Sequence, residues 1–171
     1  MIGLQKDSVD LYLINNAIYK SSYEDEHVKL SSILKGYFVS IEHVGSTAIS
    51  GIVAKPIIDI AVGINDTKDF NLITSILEKN GYTYLANRGE ISRRIFVKTS
   101  NDVRTHHIHV EEYGKQNWVN HIKFRDKLIA SVNFRKEYEE LKIHLSKKYA
   151  SNREQYTLEK AEFIQKVLHS E

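Results

Sequence analysis

Hydrophobic positions change their period along this chain, and the changes predict its elements. Residues 9 to 14, "VDLYLI", read as a short extended piece. From about Ala17 to Leu34 the positions Ile18, Tyr23, His27, Leu30 and Leu34 recur roughly at helical spacing, with Gly36 as a stop. "YFVSIEHV", residues 37 to 44, is β-branched and aromatic, as strands are. "KPIIDIAVGI", residues 55 to 64, is a near-continuous apolar run, the pattern of a strand buried on both faces. A helix is predicted over 67 to 80, capped by Asp66 or Thr67 and followed by Gly81. Strands are predicted over 82 to 87, 93 to 99 and 105 to 113, separated by turn signals at Gly89 and at "SND". Residues 117 to 131, 134 to 150 and 153 to 168 are charged, periodic and free of proline and glycine, and predict three helices. The sum is an α+β plan. A mixed sheet occupies the middle of the chain, with an N-terminal helix and a helical C-terminal third. No linker sets that third apart, so one domain over 1 to 171 is expected.

Composition narrows the class. The chain has 171 residues, 42% hydrophobic and 27% charged, as ordinary globular proteins do. A formal charge of +2 gives no argument for nucleic acid. There is no cysteine, which removes thiolate chemistry and disulfides. No signal peptide and no run of ~20 apolar residues is visible, so a cytoplasmic protein without membrane contact is expected.

Candidate chemistry starts at "IEHVGSTAISGIVAKPIIDIAVGI", residues 41 to 64. After a strand, Gly45 allows a tight turn and a close ligand approach. Ser46 and Thr47 add hydroxyls, and Lys55 adds a positive charge near the same end. Asp59 lies mid-strand among apolar residues, where a carboxylate needs a cation or a partner. Phosphoryl transfer often uses Mg²⁺ held by carboxylates. Two acids spaced i, i+2 on a strand share a face, but here the i+2 residue is Ala61. Asp59 could equally hold a loop amide or Lys55.

A second constellation is "RTHHIHVEEY", residues 104 to 113. Alternation puts His107, His109 and Glu111 on one face and His106, Ile108, Val110 and Glu112 on the other. If Ile108 and Val110 anchor the core, the first set faces a cleft or solvent. Two histidines at i, i+2 need ligands from elsewhere to complete a transition-metal site, so these three alone are not expected to form one. In "RGEISRRIFVK", Arg94, Phe96 and Lys98 share a face, and Arg94 and Lys98 are assigned to the cleft, with Ile95 and Val97 toward the core. Arg88 reads as a solvated turn charge. One of Glu42 and His43 must face inward and find a partner. Trp118 and His121 follow helical spacing and read as helix-packing residues.

Together "EHVGSTAISGIVAKPIIDI", "HHIHVEEY", "W..HIKFRD.L" (Trp118 to Leu128), "Y..LK..L" (Tyr138 to Leu145) and "Y...KAEFI" (Tyr156 to Ile164) resemble the GrpB family. The resemblance covers nearly the whole chain. It implies a nucleotidyltransferase-like fold with Gly45, Ser46 and Asp59 in the motif positions of that superfamily, and it leaves the reaction open. The expectation is a protein that binds a nucleotide or another phosphorylated small molecule, either as a Mg²⁺-dependent nucleotidyltransferase of unknown acceptor or as a non-catalytic binding or regulatory module. The expected catalytic residues are Asp59, Ser46, His107 and His109. Gly45, Ser46, Thr47, Lys55, Arg94 and Lys98 are expected to bind the ligand, and Asp59 and Glu42 to hold Mg²⁺. Oligomeric state is not legible.

Overall fold

The apolar run at the middle of the chain becomes the middle of a sheet. A computed structural model describes residues 2–5, 8–86 and 91–170. Elements in chain order are β1 (Tyr12–Leu13), α1 (Asn16–Ile33), β2 (Phe38–Val44), β3 (Val53–Ala54), β4 (Ile58–Ile64), α2 (Phe70–Lys79), β5 (Tyr82–Tyr84), β6 (Arg93–Ser100), β7 (Val103–Glu112), α3 (Gln116–Ala130), α4 (Val132–Lys148), α5 (Arg153–Leu158) and α6 (Ala161–His169). The fold is mixed α+β. A five-stranded sheet has the order β2-β4-β7-β6-β5, and β1 pairs with β3 in a separate ribbon. Only β4 and β7 are parallel in the five-stranded sheet; its other pairs are antiparallel.

Register fixes which residues share a face. Asp59 pairs with His107, Ala61 with His109 and Gly63 with Glu111. On the opposite face Ile58, Ile60, Val62 and Ile64 join Ile108, Val110 and Phe96 in the main core. α1 and α2 cover that face through Tyr19, Leu30, Phe70, Ile73 and Leu77. Each such side chain contributes about 1.5–3 kcal/mol by leaving water. The predicted N-terminal helix forms with a different buried stripe. Asn15 caps it by accepting from the Ala17 amide, Tyr19, Glu26 and Leu30 turn inward, and Ile18 is exposed.

The first face is covered by the C-terminal helices. Trp118 of α3 packs with Val44 and Ala61. A Cβ placed on Gly63 would lie 2.9 Å from the Trp118 ring, so the lack of a side chain at 63 lets the indole sit on β4. Trp118 is thus the packing residue its spacing predicts. The helix predicted over 153 to 168 is two helices, α5 and α6, separated by a turn at Glu159 and Lys160. No proline or glycine marks this break. Its effect is to aim Arg153, Tyr156 and Lys160 into one cleft. Gly89 and Arg88, read above as turn residues, lie outside the described residues.

β6 presents the face opposite to the one expected. Phe96 pairs with Ile108 and is fully buried in the core, which places Arg94 and Lys98 on the core side as well. The large aromatic ring takes the interior, and Ile95 turns to the cleft instead. Arg94 docks on α2, donating to the Phe70 carbonyl at 2.9 Å, Thr74 Oγ1 at 2.6 Å and Asn71 Oδ1 at 2.7 Å. Lys98 donates to Glu26, an acid buried in α1 that also accepts from Tyr82. Both basic residues therefore hold the fold and are removed from the set expected at the ligand.

Candidate functional site

The Gly-Ser turn opens a cleft of about 450 Å³ between the first face of the sheet and the C-terminal helices. This volume is within the range of small-molecule sites. Gly45 has φ +69°, a conformation that favours glycine. Ser46 to Ala48 then form one 3₁₀ turn. Thr47 clamps that turn from beneath. Its buried hydroxyl donates to the Ile57 carbonyl at 3.2 Å and meets His43 Nε2 at 3.0 Å. Thr47 lines the cleft, and its hydroxyl shapes the turn through these two contacts.

Asp59 lies on the cleft floor with 30% of its side chain exposed. His107 Nδ1 is 3.0 Å from Asp59 Oδ1, and His109 Nε2 is 3.7 Å from the same oxygen, a close neighbour rather than a hydrogen bond. The other ring nitrogen of His107 lies 3.3 Å from Arg153 Nη2. An arginine can only donate, so Nε2 is the acceptor and Nδ1 carries the proton toward Asp59. Burial opposes charge on Asp59, but the two imidazoles outweigh it and hold its carboxyl well below the usual range. Burial also lowers the pKa values of His107 and His109. The arrangement is thus a carboxylate oriented by neutral imidazoles, backed by a guanidinium.

Cations dominate the rest of the cleft. Lys55, Arg93, Lys142, Arg153 and Lys160 line it, against the carboxylates Asp59 and Glu154. Of these five cations Lys55 alone belongs to the expected set. Lys142 is a buried residue of α4 whose Nζ lies 3.4 Å from Ser46 Oγ and also donates to the Val53 carbonyl. One helical turn earlier, Glu139 accepts from the Val53 amide at 2.7 Å, so α4 grips β3 at both backbone groups of one residue. Burial pushes the Lys142 ammonium down to about 7, and burial brings Lys160 to about 8. The Lys55 and Lys160 ammonium groups lie 4.8 Å and 4.6 Å from the centre of the Tyr156 ring. Sequence periodicity marked α4 to α6 as helices but held no signal that these lysines and arginines converge.

Glu42, the expected second acid for Mg²⁺, is elsewhere. It shares the sheet face of Asp59 but binds Arg125 at 2.9 Å and does not line the cleft. His43, its neighbour, is on the other face, stacked on Tyr23 with ring centres 4.8 Å apart, and burial pushes it down to about 4. Asp59 is left without Glu42, among imidazoles and cations. Mg²⁺ prefers several oxygen ligands, so this donor set does not fit a resident Mg²⁺.

His121 packs α3 against the sheet, and does so through a polar contact. It reaches back from α3 to β7, where its Nδ1 lies 3.2 Å from Glu111 Oε2. Among the described residues no helix is long and apolar enough to cross a membrane.

Comparison with known proteins adds the following. The family model described as GrpB protein matches residues 13–170. The chain is 37% identical over 173 residues to the glutamate-rich protein GrpB of Alkalihalophilus pseudofirmus, covering 99% of each chain. It is 33% identical to the UPF0157 protein YqkA of Bacillus subtilis, covering 93% of this chain and 46% of that one. The crystal structure of the conserved protein GrpB from Enterococcus faecalis superposes with a TM-score of 0.83 at 29% identity, covering 93% of this chain and 94% of that chain.

Proposed function

The chain belongs to the GrpB family, and from that premise and the charge of its cleft we propose that it binds a phosphorylated small molecule at the Gly45–Ser46 turn. One observation carries this reading. Lys55, Arg93, Lys142, Arg153 and Lys160 come from separate parts of the chain and converge on one cavity that holds two carboxylates. Bringing like charges together is unfavourable unless an anion offsets them. Arginine forks suit phosphate oxygens, and lysine adds point charges. A nucleotide is the ligand class that fits best, since a polyphosphate can meet several of these cations at once.

Asp59 has a defined part in this reading. Its hydrogen bond holds His107 in the tautomer that leaves Nε2 toward Arg153. Arg153 is thereby held at the cleft wall, beside the proposed anion site. Ser46 presents its hydroxyl beside Lys142. A binding or regulatory module requires nothing further. Nucleotidyl transfer would need a cation-holding acid pair that Asp59 does not have with Ala61.

The experiment is calorimetric titration with ATP, AMP, inorganic pyrophosphate and adenosine. Affinity should follow phosphate count, fall with salt, and weaken about 10–100-fold in Arg153→Met, as loss of a charge-assisted hydrogen bond of ~1.5–3 kcal/mol requires. Equal affinity for adenosine and ATP, or no heat with any of them, would sink the reading.

A further inference from the structure

A second polar cluster lies behind the cleft, on the far side of the His109 ring from Asp59. It consists of His109 and Glu111 from β7 and His121 from α3. Register puts His109 and Glu111 two residues apart on one face of the strand. Glu111 is fully buried. Its Oε2 meets His121 Nδ1 at 3.2 Å, but its Oε1 has no hydrogen-bond partner, and neither does His109 Nδ1. Leaving a buried polar group unmatched is costly, and more so for a charged one. The pair between His121 and Glu111 explains one oxygen and leaves Glu111 Oε1 and His109 Nδ1 buried without partners.

The tautomer sharpens the problem. His109 turns Nε2 to Asp59 at 3.7 Å. With the proton on that nitrogen, Nδ1 offers only a lone pair, and no donor reaches either it or Glu111 Oε1. One ligand atom from each of the three residues lies within 4.8 Å of the others. The His109 and His121 rings are 4.9 Å apart and inclined at 64°, so they are not stacked and can point toward a common centre.

We propose that His109, Glu111 and His121 form a binding site for a divalent transition-metal ion, with Zn²⁺ the best match. Two imidazoles and one carboxylate are a known donor set for zinc, with a fourth position left for water. They suit Mg²⁺ and Ca²⁺ poorly, because those ions select oxygen. Tetrahedral bonds of about 2.0–2.1 Å put ligand atoms roughly 3.3 Å apart, so small side-chain rotations close the site. Asp59 then has the place of the outer carboxylate that orients a metal-bound histidine through its other nitrogen. The His121 side chain is 27% exposed, which gives the ion a path from solvent. Two ligands spaced i, i+2 on β7 were insufficient by themselves, and the helix after the strand supplies the third.

The site is independent of the anion reading, and its test uses metal alone. The full chain is stripped with chelator, dialysed against Zn²⁺ in slight excess over protein and then against metal-free buffer, and analysed for bound metal by mass spectrometry. One Zn²⁺ per chain is expected, with a thermal shift upward on loading. Co²⁺ in its place should give the intense visible absorption of a tetrahedral site. His121→Ala should lose the bound metal and the Co²⁺ bands while keeping its circular dichroism, since His121 is on a partly exposed helix face. Glu111→Gln should do the same, and His144→Ala, an exposed histidine of α4, should retain both. Absence of stoichiometric Zn²⁺ in the parent overturns the proposal. A full equivalent retained by folded His121→Ala overturns it too, because the ion would then be held by other residues.

Discussion

Gly45 has no side chain where the Asp59 carboxylate needs space: a Cβ at position 45 would lie 2.5 Å from Asp59 Oδ2. The turn and the strand acid are therefore one unit. A substitution at 45 is opposed twice, by φ +69° and by this contact.

Gly45→Ala should destabilise the protein by about 1–3 kcal/mol, the usual scale of a strained backbone site. Adding Asp59→Ala should recover part of that loss, since it removes the atom in the way. Urea denaturation of the two single variants and the double variant measures the coupling. Strict additivity would show that the contact does not matter.

Basic residues one position apart on β6 should behave differently. Arg93 lines the cleft, whereas Arg94 is bound to α2 through Phe70, Asn71 and Thr74. Arg93→Met should weaken ATP or pyrophosphate binding more than Arg94→Met does. Arg94→Met should cost about 1–3 kcal/mol of stability through stranded α2 acceptors and leave affinity intact. The two assays are titration and denaturation. Anion affinity that depends on Arg94 would put the wrong face at the ligand.

The pH dependence follows from Lys142 and Lys160. Burial lowers both, to about 7 and about 8. Between those values and the ordinary lysine value near 10.4 the unfolded chain binds more protons than the folded one, so stability rises with pH across that window. Below pH 7 the penalty of the buried charge on Lys142 is fully present. Lys142→Met should flatten this rise in thermal melts. Anion affinity should move the other way and fall about tenfold or more from pH 6.5 to 9, as charge-assisted bonds to these ammonium groups are lost. Affinity that increases over this range would remove the lysines from the ligand site.

Mg²⁺ alone should give little heat in calorimetry, because Asp59 has no acid at the i+2 place, Ala61, and its Oδ1 is engaged by His107. If adding Mg²⁺ strengthens nucleotide binding, Asp59→Asn should erase the gain while the protein remains folded. A variant that keeps the gain would make Asp59 an orienting residue for His107 and nothing more.

The sequence alone determined the local objects. Apolar runs and turn residues located β2, β4, β7 and the helices as far as α4, with α5 and α6 read as one, because period and turn chemistry are properties of neighbouring residues. Strand alternation also determined that His107, His109 and Glu111 share a face. It could not say which face of β6 meets the core, since a period of two fixes relative but not absolute direction. The bulk of Phe96 against Ile108 decided that, sending Arg94 and Lys98 to the core side with it. Tertiary structure alone decided the reach of Lys142 to Ser46, of Arg153 to His107 and of His121 to Glu111. Those contacts depend on how helices dock against a distant strand, and the charged helix faces that carry them have the same spacing as faces that meet only water.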